Sequence, residues 1–248
     1  MIASSGMPTD PDVLLIAASE TDSNLYYATR FLAPDPFIFL RVKGEKILVM
    51  SDLEVDRARA TATVDTVLPY SDYEGRVKRR EGAHPTAVDV VDLVLKERGV
   101  TQLLVPENFG FEHARRLQAK GYELSTKREP FFEERALKTR EEVAAIEAAQ
   151  RAVESAVHRV IDLFGAASVR DGLIVHEGEP VTSERIKKLI NVALMEQDCI
   201  SQHTIIAGGL QACDPHNEGS GPLRAGEPIV MDIFPRNATT RYFADMSR

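Results

Sequence analysis

The sequence predicts an α/β unit over roughly its first 130 residues, then a unit ordered helix, helix, strand, loop, strand, loop, strand. Three observations carry this reading. Short apolar runs alternate with helix-period segments as far as Ser125. Thr139-Arg140-Glu141-Glu142 forms a capping box ahead of a long Ala-rich segment. Two apolar runs, Ile229-Val230-Met231 and Tyr242-Phe243-Ala244, flank a polar link, as in an antiparallel strand pair.

In the first unit, Val13 to Ala18 is a continuous apolar run suited to a buried strand. Leu25 to Phe31 reads as a short helix. Phe37 to Arg41 and Lys46 to Met50 flank Lys43-Gly44-Glu45, a hairpin signal. Asp52 to Thr61 has helical composition, and Thr66 to Pro69 reads as a brief strand. From His84 to Arg98, apolar residues at 88, 90, 91, 94 and 95 fit an amphipathic helix that Gly99 stops. Leu103 to Pro106 is a further buried strand, Phe111 to Lys120 a helix ended by Gly121, and Tyr122 to Ser125 a last strand. The basic run Arg76-Val77-Lys78-Arg79-Arg80 reads as a solvated face. The unit has no Gly-rich phosphate loop and no catalytic carboxylate pair, and its histidines, His84 and His113, read as structural.

Phe131-Phe132-Glu133-Glu134 is a connector, which sets the units at 1–135 and 136–248. The helix opened by Thr139 continues to Phe164, with Val143, Ile146, Val153, Val157, Val160, Ile161 and Phe164 on one side and His158 on its surface. A polar connection with an apolar island at Leu173-Ile174-Val175 follows. A second helix starts at Thr182 or Ser183 as N-cap, with Ile186, Leu189, Ile190, Ala193 and Leu194 on one stripe. Thr204 to Ala207 reads as a strand that ends at Gly208-Gly209.

Composition bounds the function. Hydrophobic residues make up 44% and charged residues 27%, the balance of an ordinary soluble globular protein. At 248 residues, two units are the expectation. A net charge of −8 with no basic stripe argues against nucleic acid as the main partner. Two cysteines, Cys199 and Cys213, offer neither a disulfide framework nor metal spacing, in keeping with a reducing cytoplasm; Cys199 is expected to be buried at a helix end. MIASSGMPTDPD has no signal-peptide pattern, and no run approaches the ~20 apolar residues of a membrane span.

Asp232 and Asp245 carry the candidate chemistry, one on each strand of the final pair. If the link is symmetric about residues 238 and 239, the two aspartates oppose each other, with Cβ atoms about 4.5–5.5 Å apart. Like charges that close need a cation or a proton between them. A bridging carboxylate also suits two ions ~3.5–4 Å apart. Aspartates at strand ends usually cap turns or face water, so spacing alone leaves both readings open. Upstream, Pro215-His216 stands in a loop before the turn Gly219-Ser220-Gly221-Pro222. A loop histidine beside a carboxylate pair is a candidate proton shuttle or donor to a substrate oxygen.

The run AGGLQACDPHNEGSGPLRAGEPIVMDIFPR followed by RYFADMSR resembles the pita-bread metallopeptidases, in the branch of Xaa-Pro aminopeptidases and Xaa-Pro dipeptidases (prolidases). Pro215-His216, Asp232 and the Tyr242-x-x-Asp245-x-x-Arg248 segment match that family's motifs in order and type. The Asp-to-Asp gap is slightly longer here. Lys138 to Glu142 is similar to the start of the family's catalytic domain. The resemblance implies a creatinase/prolidase-type N-terminal α/β domain followed by the first half of an α+β pita-bread domain. It implies Asp232 and Asp245 as metal ligands, the second bridging two divalent ions, with Mn favoured and Co or Zn compatible. It implies His216 as a catalytic and substrate-contacting residue, His203 as a lining residue and Arg248 as a partner of a ligand carboxylate. Substrates would be proline-containing peptides, and the complete enzyme a homo-oligomer. The family's later His and two Glu ligands fall outside these residues, so the resemblance implies the front part of such an enzyme, with little activity by itself.

Other classes stand beside this one. A non-catalytic peptide- or protein-binding homologue of the same fold is the main alternative. A creatinase-like amidinohydrolase needs no aspartate pair, and a plain α/β protein leaves the ordered motifs without explanation.

Overall fold

The structure, a computed structural model, describes residues 10–81 and 85–248. The reading of the first nine residues and that of His84 lie outside the described residues. The chain divides into two compact units, Met1–Ala136 and Leu137–Arg248.

The first unit runs β1 (Val13–Ala17), α1 (Ser23–Thr29), β2 (Phe37–Val42), β3 (Glu45–Met50), α2 (Val55–Thr61), β4 (Thr66–Pro69), α3 (Tyr70–Glu81), α4 (Ala87–Arg98), β5 (Gln102–Pro106), α5 (Phe111–Ala119) and β6 (Glu123–Lys127). Its six strands form one sheet in the order β4-β3-β2-β1-β5-β6. The β1–β2 and β2–β3 pairs are antiparallel, and the other three are parallel. Side chains alternate between the two faces. Leu14, Ile38, Leu40 and Val49 pack with residues of α3, α4 and α5, while Val13, Leu15, Phe39 and Leu48 pack with α1, α2, Phe131 and Phe132. The result is a three-layer α/β/α unit.

Local chemistry explains most boundaries. Lys43 and Gly44 both take positive φ, 51° and 87°, which suits the two-residue turn joining β2 to β3. Helix α1 begins two residues before the sequence expectation because the Asp22 carboxylate accepts the Leu25 amide at 2.8 Å. Helix α3 was not predicted. Its sequence carries few apolar residues, yet Tyr73 and Val77 are buried, and the Arg76 guanidinium pairs with Glu97 beside the Tyr73 ring. The basic run is thus only partly a solvated face.

The second unit runs α6 (Arg140–Gly165), β7 (Ser168–Arg170), β8 (Leu173–His176), β9 (Glu179–Pro180), α7 (Ser183–Met195), β10 (Cys199–Ile200), β11 (Ile205–Gly208), β12 (Ile229–Ile233), β13 (Arg236–Asn237) and β14 (Met246–Ser247). The sheet that matters for the site has the order β11-β12-β14. The capping box is present: Thr139 Oγ1 accepts the Glu142 amide at 3.3 Å, and Glu142 Oε2 accepts the Thr139 amide at 2.8 Å. Thr182 caps α7 by accepting the Arg185 amide at 3.1 Å.

Helices α6 and α7 cover one face of this sheet. Ala149, Ala152, Val153, Ala156, Val157, Val160 and Leu163 of α6 meet Ile186, Ile190, Ala193 and Leu194 of α7, with Cys199, Ile206, Met231, Ile233 and Met246 beneath. The buried stripe of α6 follows its alanines. Val143 and Ile161, expected on that side, are exposed, because each lies one helical step away from it. His158 is exposed and bonds the Glu154 carbonyl.

A buried polar knot in the first unit gives a stability prediction. Asp92 is only 5% exposed and accepts Lys96 Nζ at 2.8 Å and the Tyr122 hydroxyl at 2.9 Å. Burial, reinforced by Asp92, pushes the Tyr122 phenol above its usual range. Tyr122→Phe keeps the ring but leaves the carboxylate one donor short. It is expected to lower stability by about 1–2 kcal/mol, read as a shifted urea midpoint. An unchanged midpoint would mean that Lys96, with Lys120 Nζ at 3.7 Å, satisfies Asp92 without the hydroxyl.

Candidate metal centre

The stretch from Met231 to Arg248 is one antiparallel hairpin. Met231 and Arg248 exchange both backbone hydrogen bonds at 2.8 Å. Asp232 then opposes Ser247, and Ile233 opposes Met246. The ladder continues through Ala244 N–H to the Pro235 carbonyl, the Arg236–Phe243 bridge, and Asn237 N–H to the Tyr242 carbonyl. Asn237 organises the turn, its Oδ1 accepting the amides of Thr239 at 3.0 Å and Thr240 at 2.8 Å. Arg241 takes φ 65° to close it.

This register corrects the expected opposition of the aspartates. The hairpin is centred between Thr239 and Thr240, one residue beyond the symmetric estimate, because Asn237 and Arg241 bracket a longer turn. Asp245 therefore stands across from Phe234, and Asp232 across from Ser247. Both aspartates still share the face that α6 and α7 leave uncovered. Burial alternates along the returning strand, with Ala244 and Met246 inward and Asp245 and Ser247 outward. The two carboxylates are diagonal neighbours, a relation that places such residues ~7–8 Å apart.

The carboxylates differ in surroundings. Ser247 Oγ donates to Asp232 Oδ1 at 2.6 Å, which fixes one oxygen of a half-buried group. Asp245 is exposed and bonds none of the described residues. Hard oxygen donors on one face suit a divalent cation in kind. Among the described residues no cluster of three His, Cys, Asp or Glu side chains forms, so the pair supplies two carboxylates and no further donor.

His216 is exposed on the loop between β11 and β12, its amide donating to Asp214 Oδ1 at 3.0 Å. Its imidazole makes no hydrogen bond or ion pair with Asp232 or Asp245. The loop is pinned just beyond it. Met231, the partner of Ile206, turns toward β14, so Ile206 turns away from β12 and donates to the Glu218 carbonyl at 3.0 Å. Residue 218 thus flanks the outer edge of β11. Lys187 Nζ donates to the carbonyls of Glu218 at 3.2 Å and Gly219 at 2.9 Å. The Glu184 carboxylate accepts the Gly221 amide at 3.0 Å, and this bond holds its carboxyl below the usual range. Gln211 exchanges hydrogen bonds with the Ser220 backbone.

His203, at φ 57°, is exposed and pairs through Nδ1 with Glu218 Oε1 at 2.8 Å, which brings it to the same loop. Arg248 donates from its guanidinium to the Ser247 carbonyl at 2.7 Å rather than to either aspartate. Sequence reasoning read Glu142 only as a cap and did not single out Glu184, Lys187 or Gln211. No local pattern marks side chains whose partners lie on a distant loop. Gly219 was visible as a turn residue, but its need is stricter: at φ 77°, an added Cβ would stand 1.8 Å from the Ile206 carbonyl oxygen.

Residues 144–248 match the sequence model of Metallopeptidase family M24. No curated protein sequence matches the chain. Among solved structures, prolidase from Pyrococcus furiosus superposes with a TM-score of 0.70 at 16% identity, over 96% of this chain and 65% of that one. Xaa-Pro dipeptidase from Bacillus anthracis gives 0.72 at 15%, over 96% and 59%. X-Pro aminopeptidase from Thermotoga maritima gives 0.71 at 15%, over 96% and 61%. At these identities the likeness is one of fold: an N-terminal α/β domain followed by part of a pita-bread domain. The chain spans 59–65% of the length of these three structures.

Two measurements test the loop anchors. Gly219→Ala is expected to cost about 3 kcal/mol or more, since both φ and the Ile206 backbone oppose a side chain. Full stability by denaturant unfolding would show that the loop can move aside. The Glu184 pKa lies below its ordinary value of 4.5, so its hold on Gly221 is complete above that pH and is lost as pH falls through the lowered value. The protection factor of the Gly221 amide should stay flat down to about pH 4.5 and fall below it. In Glu184→Gln that step should vanish.

Proposed function

We propose that this chain, whose residues 144–248 match the sequence model of metallopeptidase family M24 and whose fold resembles that of prolidases, belongs to a peptidase that cleaves the bond between an N-terminal residue and proline. The observation that carries the proposal is the pair Asp232 and Asp245, diagonal neighbours on the open face of one hairpin. Pro215-His216 precedes it in the sequence, and Tyr242-x-x-Asp245-x-x-Arg248 contains its second member, in the order that the resemblance requires.

Asp232 and Asp245 would hold divalent ions, two in the complete site, with Mn favoured by all-oxygen donation and Co or Zn compatible. Ions bound there supply acidification of water and polarisation of the scissile carbonyl. The remaining work falls to this chain's own residues. Ser247 fixes the orientation of Asp232 by occupying one carboxylate oxygen, which leaves the other for a cation. His216, on its pinned loop, is the donor to a substrate oxygen, and a neutral or charged imidazole can serve. His203 braces Glu218 and so lines the approach beside that loop. Arg248 is the candidate partner of a ligand carboxylate. The complete enzyme is read as a homo-oligomer acting on proline-containing peptides.

Two carboxylates make a thin cage, so the polypeptide of residues 1–248 is expected to bind Mn weakly and to hydrolyse an Xaa-Pro dipeptide far below an ordinary turnover of about 10 per second. Turnover at that ordinary rate would show that the described donors suffice. Asp232→Asn and Asp245→Asn should each reduce Mn uptake at least tenfold by equilibrium dialysis, and unchanged uptake would remove the metal assignment. The substrate class has its own test. An Xaa-Pro dipeptide should shift the His216 ring resonances, and the same two residues in reversed order should not. An equal response would overturn the preference for proline.

A further inference from the structure

One contact joins the start of the second unit to the hairpin and has no part in the site so far. Tyr242 OH donates to Glu142 Oε1 at 2.5 Å, across 100 residues of sequence. Glu142 is 4% exposed and lies in the first turn of α6, where its other oxygen accepts the Thr139 amide. The helix N-terminus favours a carboxylate there, and burial together with the Thr139 bond holds the acceptor in place rather than leaving it a surface group free to wander. On the other side, the Tyr242 carbonyl accepts the Asn237 amide, the rung nearest the hairpin turn. The Tyr242 hydroxyl is therefore tied to α6 while its backbone is tied to the ladder.

We propose that Glu142 and Tyr242 are a positioning pair for the metal-binding hairpin. The pair fixes the returning strand three residues before Asp245, and so sets where the exposed Asp245 carboxylate stands relative to Asp232. The need for it follows from the difference between the two ligands. Asp232 lies on a central strand, paired on both sides and bonded by Ser247. Asp245 precedes the two-residue strand β14 at the sheet edge, and its side chain bonds none of the described residues. Its placement depends on its backbone, and the Glu142–Tyr242 bond holds that backbone on the side toward the turn.

The inference rests on the reading of Asp232 and Asp245 as metal ligands, and the test separates the two. Residues 1–248 are titrated with Mn²⁺, and paramagnetic broadening is followed at the amides of Asp232, Asp245 and Ser247, a readout that detects weak binding and needs no turnover. Tyr242→Phe removes only the hydroxyl, and Glu142→Gln removes one of the two oxygens that accept the Thr139 amide and the Tyr242 hydroxyl. In the unaltered chain all three amides should broaden together. In both variants the broadening at Asp245 should fall at least threefold relative to that at Asp232. If the variants lower the thermal midpoint but keep the three amides in the wild-type ratio, the pair is merely structural and the proposal is overturned. If the unaltered chain broadens at none of them, the metal reading itself fails, and this inference with it.

Discussion

The hairpin register from Met231–Arg248 to Asn237–Tyr242 is the constraint on which the candidate centre depends. Strand side chains alternate with a period of two, so a slip by one residue would turn Asp245 toward the core and Met246 toward solvent. The apolar face prevents that slip. Met231, Ile233, Ala244 and Met246 are all buried against α6 and α7, and each has Asp232 or Asp245 beside it, so reversing the alternation on either strand would bury a charge. The turn centred on Asn237 reinforces the same register from the other end. Packing and turn chemistry thus agree on one placement of two acidic groups that would otherwise repel.

The two long helices of the second unit share a habit. Each sends a glutamate from its first turn to a loop that carries candidate chemistry, Glu142 to the hairpin and Glu184 to the His216 loop. A carboxylate in that position is favoured by the helix end, and it accepts a proton donor that would otherwise compete for water. Lys187, one turn along α7, adds two carbonyl contacts to the same loop. The loops are held by rigid elements, while His216 and Asp245 are left outward, available to a ligand.

Much of the fold is legible in the sequence where local chemistry decides it. Lys43-Gly44 announces its turn, Thr139 and Glu142 announce α6, and the apolar spacing of α4 with Gly99 after it marks both face and end. The pairing of Asp232 and Asp245 on one face is also readable from strand alternation. Their diagonal relation is not, because it hangs on how Asn237 and Arg241 shape the turn. Helix α3 hid behind its charges, since its apolar anchors are few: Tyr73 and Val77 in the core with Tyr70 beside them. Contacts such as Tyr242 with Glu142 depend on which distant elements meet, and no window of neighbouring residues encodes that choice.

The alanines at 149, 152 and 156 let α6 and α7 approach closely over the sheet. Thickening that stripe with larger side chains would pry the helices apart, and α7 carries Glu184 and Lys187 with it. Side-chain volume in the dry interior is in this way geared to the aim of an imidazole on the wet surface. Attempts to strengthen the protein by filling its core should therefore begin elsewhere than along this seam.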